Sequence, residues 1–240
     1  MGSIGSAGFY FSGEGVIATP EDTSKNADYT NDFQSKHPNV DVASTIITRV
    51  DGTVLKDMYD VMEQQMMLYP EYTSQLTSIT DYGNNASFAA THGDDMMTNI
   101  AYFGNEKALN AMYEKTVADG FHPKGTTAKD IVTHEMGHVI VKGLIQKKYS
   151  GDPVAQAKAW RGSKFSGDIV RQAAKQVQQN YKAYGFDKKP TQESLRAAVS
   201  GYAIKNYHET IAESWADYHA NGNNSQPLSR AIYDVIRKMM

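Results

Sequence analysis

The feature that most limits what this chain can fold into is Thr133-His134-Glu135-Met136-Gly137-His138-Val139, an H-E-x-x-H pattern inside a run that reads as helix. At about 3.6 residues per turn, His134 and His138 project from one helical face, where two imidazoles can grip one cation. Glu135 sits beside them, so its carboxylate reaches a water on that cation rather than the cation itself, the placement a general base needs. Val132, Met136, Val139, Ile140 and Gly143 line the face of this helix that must be buried. Gly137, between the histidines, lowers helix propensity by ~1 kcal/mol relative to alanine and implies close approach of another backbone.

The chain has no cysteine, which excludes disulfides, thiolate metal sites and cysteine nucleophiles; any transition metal must rest on histidine and carboxylate. A net charge of −3 gives no broad footprint for nucleic acid or an anionic membrane surface. No run approaches the ~18 apolar residues of a membrane span, and the N-terminus lacks a basic region followed by an apolar core, so no secretion signal is expected in this chain. Its 240 residues suffice for one large domain or two small lobes around a cleft.

Residues 1–40 are rich in Gly, Ser, Thr, Asn and Asp, with Phe9, Tyr10 and Phe11 as the apolar cluster, and read as a flexible segment or linker. The β-branched run Thr45-Ile46-Ile47-Thr48 predicts a strand over 42–50. Thr53 then caps a helix whose positions Leu55, Met58, Met62, Met66 and Tyr69 keep helical spacing until Pro70. Short strands are expected at 76–82, 87–91 and 98–103; an exposed edge among them would accept an extended peptide as an added strand. Asn105 caps a helix that stops at Asp119-Gly120. Thr127 with Asp130 opens the central helix, and Gly151-Asp152-Pro153 closes it. Residues 154–190, polar and rich in Ala, Gln and Lys, read as a surface insertion with a helix over about 169–184. A short helix over 191–200, one from Asn206 to about Ala220, and a C-terminal clamp over 229–240 complete the expectation. The sheet and central helix would share residues 41–150, and a helical lobe 151–240.

On the helix after Asn206, Glu209 and Glu213 lie four apart, facing the same way near Ile211, Ala212 and Trp215. Two stacked carboxylates near apolar surface repel one another unless cations or donors oppose them. Two histidines and one glutamate form an established catalytic zinc set with a fourth position for water. Glu209 also stands three residues after Asn206 and can complete a capping box there, while Asp217 and His208 are alternative ligands. His92 and His122 read as turn residues and His219 as solvated.

The string Tyr202-x-x-x-Asn206-x-x-Glu209-x-x-Ala212-Glu213, downstream of H-E-x-G-H, resembles zinc metallopeptidases of the gluzincin type, the group of anthrax lethal factor and the clostridial Pro-Pro endopeptidases. It is more similar still to the metallopeptidase domains of phage minor head and structural proteins. The resemblance covers the two motifs and their order, with weaker agreement at His122-Pro123. It implies an α+β zincin-like fold: a small mixed sheet, an active-site helix and a C-terminal helical lobe. Carried over by position, His134, His138 and Glu209 bind zinc, and Glu135 is general base and proton shuttle. Glu213 accepts a hydrogen bond from a ligand histidine, and Tyr202 donates to the oxyanion of the tetrahedral intermediate. Thr210-Ile211 stand where the family often has aromatic residues, so pocket shape and substrate lie outside what the resemblance carries.

The implied activity is zinc-dependent endopeptidase action on a protein or peptide substrate. The phage resemblance adds phage structural proteins as candidate partners and a cytoplasmic or virion-associated location; nucleic acid and membrane are not expected partners. A competing reading is a virion module that keeps zinc for stability with little proteolysis, although a purely structural site needs neither Glu135 nor Tyr202. A third is an effector protease with the same chemistry and a host target. Histidine and carboxylate ligands also accept cobalt, nickel and other first-row ions.

Overall fold

Where the amphipathic runs are long the chain becomes helix, and among the described residues four short segments pair as strands. A computed structural model of the chain describes residues 20–83, 87–92 and 94–240; it is mixed α+β, mostly helical, with one four-stranded mixed sheet. These residues fall into two compact units, one ending at Tyr113 and one running from Glu114 to Met240. The Phe9-Tyr10-Phe11 cluster lies outside the described residues.

The first unit contains α1 (Asn26–Lys36), β1 (Asp41–Val42), α2 (Ser44–Arg49), α3 (Gly52–Leu68), α4 (Pro70–Thr73), β2 (Ser78–Asp81), β3 (Ala89–His92), β4 (Asp95–Thr98) and α5 (Ile100–Phe103). The sheet order is β1-β2-β4-β3: β1, β2 and β4 run parallel, and β3 pairs antiparallel with β4. β1 and β3 are therefore the edges. As expected, the methionine stripe of α3 is core, with Met58, Met62 and Met66 all buried, while Met67 faces outward.

Four expectations fail here. The cap of α3 is Asp51 rather than Thr53, with Asp51 Oδ1 accepting from Thr53 N at 3.0 Å. The stretch 26–36, read as linker, is helix: its anchor is Phe33, fully buried and stacked on Tyr59 at a centroid distance of 4.4 Å. Thr30 Oγ1 and Tyr59 OH stand 2.9 Å apart, and Asn26 Nδ2 donates to the carbonyls of Ile47 and Val50 at 2.8 Å. The run 44–49, read as strand, is the helix α2; only Ile46 of its β-branched residues is buried, so strand propensity yields to tertiary context. The third strand lies at 95–98 rather than 98–103. Asn99 ends it by accepting from Ala101 N (3.0 Å), which caps α5, and by donating to Ser87 O (3.0 Å).

Helix α6 (Glu106–Ala118) spans the boundary of the units, with Asn105 Oδ1 accepting from Ala108 N as expected. The second unit is helical: α7 (Asp130–Lys148), α8 (Pro153–Arg161), α9 (Lys164–Gln179), α10 (Gln192–Val199), α11 (Tyr207–Asn221) and α12 (Pro227–Met239). α7 packs most extensively on α11, and α12 covers α9 and α11. Gly137 is why α7 and α11 come so close: a Cβ there would stand 3.1 Å from Trp215 Cβ and 3.2 Å from Ala212 Cα. Of the region expected as a surface insertion, α8 buries no residue, whereas α9 is instead part of this core, burying Phe165, Ile169, Val170, Ala173 and Val177. Ala, Gln and Lys crowd its outer face, while those five residues recur at helical spacing underneath. No helix among the described residues is long and apolar enough to cross a membrane.

Candidate metal centre

Every residue of the candidate site lies in the second unit. His134, Glu135 and His138 stand on α7, and Glu209 and Glu213 on α11. Tyr202 stands in the loop between α10 and α11. That loop is held at several points. Gly201 N donates to Gly120 O (2.8 Å) and Tyr202 N to Phe121 O (3.0 Å). Arg196 of α10 donates to Ala203 O (3.0 Å) and to Thr210 Oγ1 (2.8 Å), and the Thr210 hydroxyl lies 2.7 Å from Ala203 O. Thr210, which departs from the family pattern, thus pins the Tyr202 loop to α11.

Asn206 caps α11 by accepting from Glu209 N at 2.9 Å. The Glu209 carboxylate does not complete a capping box but turns to the histidines. Its Oε2 lies 3.2 Å from His134 Nε2 and 3.4 Å from His138 Nε2. One donor atom from each of His134, His138 and Glu209 falls within 4.8 Å of the other two, so these three residues form a group able to hold a metal ion. Ligands bound tetrahedrally at about 2.0–2.1 Å lie roughly 3.3 Å from each other, close to both contacts seen here. Oε2 is buried and no donor meets it in hydrogen-bond geometry. Buried carboxylate oxygens are nearly always satisfied, and an oxygen in this state between two imidazole nitrogens is one that a cation could satisfy.

Behind this group lies Glu213, buried on all sides. Its Oε1 stands 2.8 Å from His134 Nδ1, off the N–H axis, and 3.1 Å from His122 Nδ1; its Oε2 accepts from Ser200 Oγ at 2.7 Å. Burial pushes its carboxyl up, but His122 and His134 outweigh burial and hold it at about 2. For Glu209, burial is likewise outweighed by His134 and His138, which bring it well below the usual carboxylate range. Burial opposes charge on His134, yet Glu209 and Glu213 raise its pKa well above the ordinary histidine value. The site therefore attracts positive charge.

Tyr202 OH donates toward Glu209 Oε1 at 3.4 Å and accepts from Lys205 Nζ at 3.2 Å, with the Lys205 ammonium 4.8 Å from the ring centroid. Burial, then the charges of Glu209, Glu135 and Glu213, push the phenol pKa up, so its proton stays in place as a donor. Glu135 is buried, and its charge acts on both His134 and Tyr202.

The other histidines and the alternative ligands lie elsewhere. His208 turns away to Ser166 Oγ (3.0 Å), and Asp217 accepts from Asn221 Nδ2 and Gln226 N, each at 2.8 Å. His92 ends strand β3. His219 is not solvated: it packs at 4.8 Å on the ring of Trp215, and burial lowers its pKa to about 4. His122 is more than a turn residue, because it reaches Glu213. The agreement at His122-Pro123 was the signal for it; Ser200 and Lys205 had none. No family model matches the chain, and neither the curated proteins nor the solved structures contain a match to it.

Proposed function

We propose that the chain is a zinc-dependent endopeptidase of gluzincin type with a zincin-like fold, from a phage or prophage setting. The observation that carries this reading is the convergence of His134, His138 and Glu209 within 4.8 Å, with the Glu209 Oε2 position between the two imidazoles. His134, His138 and Glu209 would hold a Zn²⁺, which would supply Lewis acidity toward a scissile carbonyl and a water. Glu135 takes the proton of the attacking water and returns it to the leaving amine. The Tyr202 hydroxyl, kept protonated by burial, donates to the oxyanion as it develops. Glu213 orients the His134 ring through Nδ1, leaving Nε2 free as a ligand.

The test pairs zinc content with cleavage of a peptide library by the parent and by Glu135→Gln. The reading expects both proteins to hold one zinc and only the parent to cut, with the variant slower by about 10²-fold or more. Equal cleavage by the two removes the assigned mechanism. A parent that is strongly stabilised by zinc yet cuts nothing replaces the enzyme with a structural module.

A further inference from the structure

We infer that His122, together with Ser200, is a positioning residue of the metal site, acting through Glu213. The inference rests on the metal-site reading above. Glu213 makes three polar contacts, and the one to the ligand His134, at 2.8 Å, is the poorly aligned one. The two in hydrogen-bond geometry come from His122 Nδ1 (3.1 Å) and Ser200 Oγ (2.7 Å), one to each carboxylate oxygen. His122 and Ser200 therefore set where the carboxylate lies, and the carboxylate sets the His134 ring.

The donors come from different parts of the chain, which is what makes the clamp rigid. Ser200 follows α10, and its hydroxyl also accepts from Ala203 N at 2.9 Å, so its orientation is fixed. His122 lies in the turn after α6, whose backbone accepts from Gly201 N and Tyr202 N. The Phe121 ring beside it lies 4.9 Å from the Tyr202 ring. One turn, Gly120 to His122, thus supports a metal ligand through Glu213 and the oxyanion donor through the backbone. Free rotation of the Glu213 carboxylate would release the His134 ring to turn, and outer partners of metal ligands commonly change affinity by about 10–100-fold when removed.

His122 and Ser200 also line a cleft of about 530 Å³ with Lys124, Thr126 and Gln226, so a different ring at position 122 has room without overpacking the core. The test is zinc affinity, by competition with a chromophoric chelator, for the parent, His122→Phe and His122→Asn, beside denaturant unfolding of the metal-free proteins. Asparagine keeps an N–H close to the place of Nδ1; phenylalanine keeps only the ring. We expect His122→Phe to bind zinc about 10–100-fold more weakly and His122→Asn to recover most of that loss. Metal-free stability should not follow the same order.

Parent-like affinity in His122→Phe, or equal impairment in both variants, overturns the inference while leaving the metal site intact. A parent that binds no zinc overturns the metal site and this inference with it. Should His122→Phe fail to fold, Ser200→Ala and Ser200→Thr decide in its place: weakened binding in the first and restoration in the second support the clamp, and parent-like binding in Ser200→Ala overturns it.

Discussion

Replacing Gly137 with alanine probes the contact that brings the two halves of the candidate site together. The added Cβ would stand 3.1 Å from Trp215 Cβ, 3.2 Å from Ala212 Cα and 3.3 Å from Trp215 Cγ. Carbon atoms settle at about 3.5–4.0 Å, so α7 and α11 must separate locally by roughly 0.3–0.5 Å. Neither neighbour can give way, because one is helix backbone and the other belongs to a fully buried tryptophan. Overpacking of this kind costs ~1–3 kcal/mol. Alanine's better helix propensity offsets about 1 kcal/mol of that, leaving a net loss of roughly 0–2 kcal/mol. His134 and His138 flank the substituted position on one helix, and Glu209 lies on the other. Metal sites tolerate only about 0.2 Å of ligand displacement, so zinc affinity should fall about tenfold or more, out of proportion to the stability change. Urea unfolding of the metal-free protein gives the first quantity and chelator competition the second. A Gly137→Ala protein at least as stable as its parent, with unchanged affinity, would refute the claim that Gly137 sets the α7–α11 spacing.

Two further perturbations test the packing of the second unit. Ile169→Ala in α9 should cost about 2–4 kcal/mol in chemical unfolding, because Ile169 is buried; a loss below about 0.5 kcal/mol is what a surface insertion would show. His219 is held at about 4, below the ordinary value of 6.5, by burial. The unfolded chain therefore takes up this proton first as the pH falls. Its contribution to stability is complete above about pH 6.5 and is lost on descending toward pH 4, by no more than about 3 kcal/mol. His219→Gln should flatten that part of the acid limb relative to the parent, measured as the difference in unfolding free energy between pH 7 and 4.5. Equal acid losses in the two proteins would show that His219 does not titrate as its burial requires.

What the sequence disclosed and what it hid follow one physical line. Long helices with a dense apolar stripe, such as α3 and α7, were legible because periodicity records burial directly. α1 was not: its only large buried side chain is Phe33, and its other buried support comes from Asn26 and Thr30, bonding to the carbonyls of Ile47 and Val50 and to Tyr59 of α3. Polar side chains that satisfy distant carbonyls leave no periodic trace. In α2 the local signal was present but misleading, since four β-branched residues in a row favour a strand until a short helix better suits the chain between β1 and α3. For α9 the helix was legible but its burial was not, because averaging over the polar segment 154–190 outweighed the apolar face that the helix buries.

The candidate site divides along the same line. Spacing within one helix fixes which side chains share a face, so His134 with His138 and Glu209 with Glu213 could be paired before any fold was known. That the two pairs meet is a tertiary fact, and the sequence pointed to it through motif order and through a glycine placed where a neighbouring helix must pass. The partners of Glu213 have no such marker. His122 lies 91 residues before Glu213 and stands in a turn, where no repeat assigns a direction to a side chain. Ser200 ends a short helix, one of many serines in a polar chain. Yet these two supply the well-aligned bonds on the buried carboxylate. A buried charge must be met by donors wherever the chain can bring them, and in this molecule the demand falls on irregular segments, where periodicity cannot foretell which residue will answer it.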